Sequence, residues 1–318
     1  MGNAKFKRKL NARSGMNPLN INEISTPTKA FDQLQKNAEP NLYEREEGKI
    51  INQRVKKLVE NNFTLLDDNS HFLFGSKKDH TQISPINDID RMVILDPNQY
   101  GFLKENLNPT ETLDYLSKSL FKNERTNLEY CIPNENAITL KFRDSDVKVD
   151  LVVGFIDENS PDFGTVIIPD TKSNTFIKTN PKINNMLLSK ANIKSNQKLI
   201  PGIKMTKKIL NDQEIDISTA YLKTLMQKNV HYGKKNQLER MIHNLDVLMK
   251  SNLSPIQNPA VLESKIESYI PDINNTLNKI KKLRNGLKQA NVLEKNQEKE
   301  RSLTKLKEIL GDTFYEVD

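Results

Sequence analysis

Three aspartates interrupt apolar segments at positions where a carboxylate could bind a cation. Asp88 and Asp90 open the apolar run at residues 88–95, and Asp150 lies within VKVDLVV. Because side chains alternate along a strand, Asp88 and Asp90 point to one face, with their α-carbons about 7 Å apart. Carboxylates this close repel each other, and an acid in a buried strand is costly unless a cation compensates it. Hard cations such as Mg²⁺ bind one or two carboxylates together with substrate phosphates, so the pattern predicts a metal site that handles phosphates.

A Gly-Ser pair precedes the aspartates and offers a second phosphate-binding element. Gly75 and Ser76 end a short apolar strand predicted at residues 71–74, where a helix can start. Backbone N–H groups at such an end, with a serine hydroxyl, form a phosphate pocket. Each element alone is weak evidence, because aspartate pairs also cap turns and helices. The combination of strand-Gly-Ser, DID twelve residues later and a downstream strand aspartate is much more specific.

Together, these residues resemble the DNA polymerase beta-like nucleotidyltransferase superfamily. The longer pattern, with Thr81 and the sequence NDID at residues 87–90, is most similar to its cyclic GMP-AMP synthase-like branch, the bacterial CD-NTases. The segments FIKTNPKINNMLLSKAN, KLIPGIKMTKKIL and DISTAYLKTLM extend the resemblance over most of the chain. One departure is His80, which stands where the family usually has a glycine before the threonine, so the local loop geometry is open.

The resemblance assigns roles to particular residues. It implies that Asp88, Asp90 and Asp150 are catalytic and hold Mg²⁺, for which Mn²⁺ substitutes. It further implies that the donor nucleotide is bound by residues in three segments, namely Gly75, Ser76, Lys204 and Ser218. For two of these another role is open. Ser218 is alternatively the N-cap of the helix that follows it, and Lys204 a solvated lysine.

The implied activity is synthesis of a cyclic di- or oligonucleotide second messenger from NTPs, with ATP and GTP as the expected substrates. The resemblance further implies a role in anti-phage defence, in which the diffusible product reaches an effector protein. Two rivals stay open. One is a nucleotidyltransferase of the same fold that adds nucleotides to an RNA end, and the other is a nonenzymatic basic nucleic-acid-binding protein whose aspartates are solvated turn residues.

Basic residues are clustered in a way that predicts a polyanionic partner. The chain carries 48 basic and 41 acidic residues, and residues 171–211 contain nine lysines and no acid. The first 14 residues are likewise free of acids. We expect a structured RNA activator to bind across both regions, because polyanions are the natural ligands of such surfaces. The residues assigned to this surface are Lys5, Lys7, Arg8, Lys9, Lys194 and Lys198.

The elements that must position these residues follow from hydrophobic periodicity. A long amphipathic helix is predicted from Glu44, and strands are predicted at residues 88–95, 137–142 and 147–155. Helical spacing then dominates, including residues 238–249, residues 262–280 and a last helix before Gly311. This order predicts an α+β, bilobal fold with a polymerase beta-like palm of mixed sheet and helices. Its predicted divisions are a basic, irregular arm at 1–42, the palm at 43–182 and a C-terminal helical domain at 183–318.

The composition excludes several classes of protein. No apolar run approaches the roughly 20 residues of a spanning helix, so no membrane association is expected. The basic N-terminus has no apolar run behind it and is not typical of a secretory signal. A single cysteine, Cys131, excludes an intrachain disulfide. We therefore expect a cytoplasmic protein.

Overall fold

The structure is a computed structural model that describes residues 26–122, 127–160, 164–229, 232–233, 235–261, 264–268 and 270–311. Within these residues, seven strands form one mixed sheet. Its order is β1-β2-β5-β4-β3, and β6 pairs with both β5 and β7. The pair β2 and β5 is parallel and the remaining pairs are antiparallel. The strands are β1 (His71–Leu73), β2 (Asp88–Ile94), β3 (Leu128–Pro133), β4 (Ile138–Phe142), β5 (Lys148–Ile156), β6 (Val166–Asp170) and β7 (Thr175–Thr179).

Helices cover one face of this sheet and build a second lobe after it. The helices that accompany the sheet are α2 (Leu42–Asn62), α3 (Gly75–Lys78), α4 (Pro97–Asn106) and α5 (Pro109–Phe121). The remaining helices are α1 (Pro27–Asn37), α6 (Pro181–Lys194), α7 (Leu199–Asp212), α8 (Thr219–Lys228), α9 (Gln237–Ser251), α10 (Ile273–Lys295) and α11 (Lys299–Leu310). Two short strands, β8 (Ile256–Gln257) and β9 (Lys265–Ile266), pair between α9 and α10.

Alternation along β2 and β5 places the three acids on the face of the sheet opposite the main apolar core of the palm. Ile89 and Val93 of β2, with Val149 and Leu151 of β5, are fully buried against α2, α4 and α5. The residues between them, which include the three aspartates, therefore face the opposite side of the sheet. Burial of the apolar face thus fixes the register that aims the acids at one place.

The second lobe has its own apolar core, formed by α1 and by helices from α6 onward. The predicted mixed sheet followed by a helical lobe is confirmed, and so is the long helix near Glu44, which begins at Leu42 with the capping box of Asn41 and Glu44. The boundaries between the predicted domains stay predictions. No helix of the described residues combines the length and apolar character that a membrane crossing requires.

Two predictions about local structure are wrong. The segment before residue 42 is not wholly irregular, because α1 begins at the N-cap Thr26 and buries Ala30 and Phe31 in the helical core. The helical pattern at residues 262–280 starts only at Ile273, after the N-cap Asp272, and its earlier part contains β9. The sequence reasoning also missed β3, β6 and β7, which are short strands with mixed burial.

Candidate active site

The three predicted aspartates meet on one face of the sheet. In the parallel register of β2 and β5, Asp90 is the direct neighbour of Asp150, and Asp88 lies two residues earlier on β2. One carboxylate oxygen of each residue lies within 4.8 Å of those of the other two. Thr139 of β4 orients the third carboxylate, because its hydroxyl donates a hydrogen bond of 2.7 Å to Oδ1 of Asp150. The sheet register therefore assembles the acidic group that the sequence predicts.

The electrostatics of this group favour a bound cation. Burial, followed by the charges of Asp88 and Asp150, raises the pKa of Asp90 from 3.8 to about 6. Burial also raises the pKa of Asp150, although the hydrogen bond from Thr139 opposes this shift. Three carboxylates that destabilise one another as anions offer the hard oxygen ligands that Mg²⁺ prefers, so the residues fit such an ion.

The Gly-Ser turn packs directly on the acids. Gly75 has a φ of +59°, and a β-carbon there would lie 2.0 Å from Oδ2 of Asp90. The N–H of Ser76 donates a hydrogen bond of 3.3 Å to the same oxygen. Only glycine permits both this backbone conformation and this close approach. His80, four residues after Ser76, has a φ of +57°, so the loop keeps a glycine-like conformation although a histidine occupies it.

Two cavities flank the aspartates, each of about 370 Å³. They share Asp88, Lys207 and Thr219 in their walls. The first lies between the palm and the helical lobe and contains Asp90 and the Gly-Ser turn. Its wall also includes Phe74, Asp79, Asn184, Leu188, Lys223, Gln227 and Ile266. The second is lined by residues that follow the turn and by the end of α7, namely Gln82, Ser84, Pro85, Asn87, Lys208, Asn211 and Asp212.

Two lysines of the first cavity were missed by the sequence reasoning. Lys207 makes no salt bridge with any described carboxylate. Burial lowers its pKa, while the charges of Asp88 and Asp90 oppose that shift. Lys223 of α8 instead forms a salt bridge with Asp79. Both lysines lie in segments that the resemblance had indicated, KMTKKIL and DISTAYLK, but spacing alone did not single them out.

The other two predicted nucleotide-binding residues, Lys204 and Ser218, lie outside the walls of both cavities. Lys204 is 7% exposed, and its Nζ contacts both carboxylate oxygens of Glu39 at 2.7 Å, so it lines neither cavity. The hydroxyl of Ser218 accepts a hydrogen bond of 3.1 Å from the N–H of Tyr221, which makes it the N-cap of α8. Its neighbour Thr219 is the residue that reaches the cavities.

The predicted basic surface is divided by folding. Lys5, Lys7, Arg8 and Lys9 lie outside the described residues. Four lysines of the acid-free stretch pair with acids that lie outside residues 171–211, namely Lys172 with Glu135, Lys178 with Asp157, Lys204 with Glu39 and Lys208 with Asp212. Lys190 and Lys194 remain exposed on α6, and Lys198 donates a hydrogen bond of 3.0 Å to the carbonyl of Gly233. The positive surface is thus smaller than the count of lysines suggests.

A family model described as the Second Messenger Oligonucleotide or Dinucleotide Synthetase domain matches residues 26–192, slightly more than half of the chain. Among curated protein sequences, none matches.

Several solved structures share the fold over nearly the whole chain. CdnC of E. coli MS115-1 with ATP has a TM-score of 0.66 at 15% identity, covering 90% of this chain and 98% of that one. CdnG of Bradyrhizobium diazoefficiens, a CD-NTase in complex with GTP, has a TM-score of 0.63 at 12% identity, with coverages of 91% and 96%. DncV of Vibrio cholerae, a cyclic AMP-GMP synthase with the linear intermediate pppA(3′,5′)pG, has a TM-score of 0.55 at 16% identity, with coverages of 98% and 90%.

Proposed function

Since the chain belongs to the family of Second Messenger Oligonucleotide or Dinucleotide Synthetase domains, as its resemblance to bacterial CD-NTases implied, we propose that it joins ATP and GTP into a cyclic di- or oligonucleotide. The observation that carries the proposal is that Asp88, a member of the acidic group, lies in the wall of both cavities, which have similar volumes. A reaction that joins two nucleotides needs a place for each beside the same carboxylates. The first cavity would take the donor triphosphate, and the second the acceptor nucleotide.

Charged residues of the cleft have separable roles in this reaction. Asp88, Asp90 and Asp150 would hold Mg²⁺, for which Mn²⁺ substitutes. When bound, such an ion neutralises phosphate charge and lowers the pKa of a hydroxyl. Lys207, which has no carboxylate partner among the described residues, would balance the charge that develops on the leaving phosphates.

The proposed chemistry is an in-line displacement. A ribose hydroxyl of the acceptor attacks the α-phosphorus of the donor, a phosphodiester bond forms and pyrophosphate leaves. The linear product then turns round in the cleft and undergoes a second displacement that closes the ring. Holding both nucleotides in the two cavities supplies much of the acceleration, because it replaces a bimolecular encounter by a fixed geometry.

The proposal extends to the biological setting. The enzyme would act in the cytoplasm in anti-phage defence, with a diffusible product that reaches an effector protein. A structured RNA would activate it by binding the exposed lysines of α6 and Lys198. An alarm nucleotide made without control would harm its host, so a regulated activity is expected.

The activity is tested by incubating the purified protein with four labelled NTPs and Mg²⁺ or Mn²⁺, followed by phosphatase treatment and chromatography. A small, phosphatase-resistant product that the Asp90→Asn variant does not form supports the proposal. A longer RNA product would instead indicate addition of nucleotides to an RNA end. Absence of turnover under every condition, with or without RNA, would contradict the proposed function.

The RNA activator is tested with a matched pair of charge reversals. Lys190→Glu with Lys194→Glu changes the exposed face of α6, and Lys118→Glu with Lys122→Glu changes exposed lysines of the palm. Only the first pair of substitutions should weaken RNA binding. The same pair should reduce the salt dependence of that binding, because fewer counterions are released. Duplex DNA of the same sequence should activate poorly, since RNA duplexes are read by shape and 2′-hydroxyls. Full activity of RNA-free protein, unchanged by added RNA, would exclude this regulation.

A further inference from the structure

A buried ion pair spans the first cavity from the palm to the helical lobe. Asp79 ends α3, the single turn that begins at Gly75, and its N–H donates a hydrogen bond of 2.9 Å to the Gly75 carbonyl. Its Oδ2 forms the salt bridge with Lys223 of α8, and its Oδ1 accepts a hydrogen bond of 2.9 Å from Nδ2 of Asn185 on α6. One carboxylate therefore connects the Gly-Ser turn to two helices of the other lobe.

Both members of the pair are secluded from water. The side chain of Asp79 is 8% exposed and that of Lys223 is 16% exposed. A charge at such a site is costly unless it is paired, and removing one partner leaves the other uncompensated. Asp79 and Lys223 also line the cavity assigned to the donor nucleotide, so the pair belongs to the wall of the site.

The two lysines of this cavity have opposite electrostatic situations. Lys207 makes no salt bridge with a carboxylate of the described residues, although the charges of Asp88 and Asp90 act on it. Lys223 is already neutralised by Asp79, which reduces its attraction for a polyanion. If the cavity served affinity alone, an acid beside one of its two cations would be a disadvantage. Asp79 can therefore serve to fix the position of the Lys223 ammonium group.

We propose that Asp79 is a positioning residue that holds the Lys223 ammonium against the phosphates of the donor nucleotide and fixes the width of the cleft between the Gly-Ser turn and α8. Asn185 supports the carboxylate from α6. This inference rests on the proposed function, because it assigns the first cavity to the donor. Groups held by packing and a second set of hydrogen bonds keep a productive geometry that a free lysine side chain does not.

The test separates nucleotide binding from turnover. Asp79→Asn keeps the shape of the side chain but releases Lys223, so the cavity gains positive charge. Affinity for a nonhydrolysable NTP, measured by calorimetry, should stay equal or become tighter. The kcat for the first phosphodiester bond should fall about tenfold, because small displacements of a positioned group are costly to catalysis. Lys223→Met should lower both affinity and kcat.

The double variant decides whether Asp79 acts through Lys223. Once Lys223→Met has removed the ammonium, adding Asp79→Asn should change kcat by less than about twofold. The inference would be overturned if Asp79→Asn lowered kcat equally in the presence and absence of Lys223. An Asp79→Asn variant with the wild-type kcat and nucleotide affinity would also overturn it. Asn185→Ala leaves the ion pair in place and serves if Asp79→Asn does not fold. It should lower kcat without weakening nucleotide binding, and an unchanged kcat would count against the proposal.

Glu39→Gln is the matched control. It breaks the salt bridge of Glu39 with the buried Lys204, which lies outside both cavities. This variant should have a lower free energy of unfolding than the wild type. Its kcat and its nucleotide affinity should keep the same relation as in the wild type. A loss of kcat in Glu39→Gln as large as in Asp79→Asn would mean that general loosening of the lobes explains the effect. Absence of any product from the wild-type protein would instead contradict the proposed function itself.

Discussion

Replacing Asp90 by asparagine should stabilise the metal-free protein while abolishing its activity. Burial and two neighbouring carboxylates raise the pKa of Asp90 to about 6 from 3.8, so its anion is disfavoured in the folded state. An asparagine side chain has nearly the same shape as an aspartate and carries no charge. The charged Asp90 is thus predicted to lower the free energy of unfolding of the metal-free protein, and a bound cation would offset that loss.

The size of the effect follows from the pKa shift. About two pKa units at about 1.4 kcal/mol each give about 3 kcal/mol above pH 6. This shift already includes the opposing effect of the 3.3 Å hydrogen bond that the N–H of Ser76 donates to Asp90. A gain of about 3 kcal/mol is therefore expected at pH 7.5. Folding raises the pKa of Asp90, so its carboxyl does not destabilise the folded state below pH 3.8. The destabilisation grows as pH rises from 3.8 to about 6. The gain in stability from Asp90→Asn should therefore be clearly smaller at pH 5 than at pH 7.5.

Thermal unfolding in EDTA at pH 5 and pH 7.5 measures this difference. Asp68→Asn, at an exposed turn, is the matched control and should change the free energy of unfolding by less than about 0.5 kcal/mol. Added Mg²⁺ with nucleotide should stabilise the wild type and leave the Asp90→Asn variant nearly unchanged. A variant that is less stable than wild type at pH 7.5 without divalent ions, or that retains activity, would refute the reasoning.

Four further substitutions test the cleft and the residues around it. Lys207→Met should raise the KM for the donor nucleotide about tenfold in steady-state assays. Lys204→Met should leave that KM within about twofold and lower the melting temperature, because Glu39 then keeps only its 3.8 Å contact with Arg45. Gly75→Ala should remove turnover in the product assay, since its β-carbon would lie 2.0 Å from Oδ2 of Asp90; retained activity would contradict the close packing. His80→Gly should raise the free energy of unfolding by about 1 kcal/mol in denaturant titrations, because a histidine at a φ of +57° is strained, and a loss of stability would argue against that strain.

Part of the acidic group could be predicted from the sequence, because strand geometry determines which residues share a face. Alternation places Asp88 and Asp90 on one face wherever the strand lies, and the apolar residues around Asp150 identify a second buried strand. What the sequence did not provide is the parallel register that makes Asp90 and Asp150 neighbours. The resemblance supplied that step, since the motif implies the arrangement of the sheet.

The cations could not be assigned in the same way. Lys204 and Lys207 lie three residues apart on α7, so they differ by about 60° around the helix and by about 4.5 Å along it. Periodicity cannot choose between two positions this similar. The choice is made by Glu39, which comes from a distant segment and pairs with Lys204. A tertiary contact of this kind has no local signal, and the same holds for Asp79 and Lys223, which are 144 residues apart.

The helix α1 illustrates a different limit. Its start signal is present, because Thr26 precedes Pro27 and its side chain accepts a hydrogen bond from the N–H of Lys29. Its three apolar anchors, Ala30, Phe31 and Leu34, are too few to indicate a helix before the core they join is known. They are buried against helices that come much later in the chain, from α6 onward. The start of α1 therefore has a local sequence signal, but its burial depends on packing against helices that come later in the chain.

The charges of the cleft account for the placement of the acids on the palm and of the lysines on the helical lobe. The wall of the first cavity contains three acids, Asp79, Asp88 and Asp90, and two lysines, Lys207 and Lys223. A carboxylate oxygen of Asp150 lies within 4.8 Å of oxygens of Asp88 and Asp90. Without a cation, this arrangement is net negative and repels a triphosphate. Divalent ions at the aspartates would reverse that sign and attract the nucleotide, so metal and nucleotide would each favour binding of the other. In the proposed reaction, the sheet would hold the acids for the metal, and the lysines would reach the phosphates from helices across the cleft.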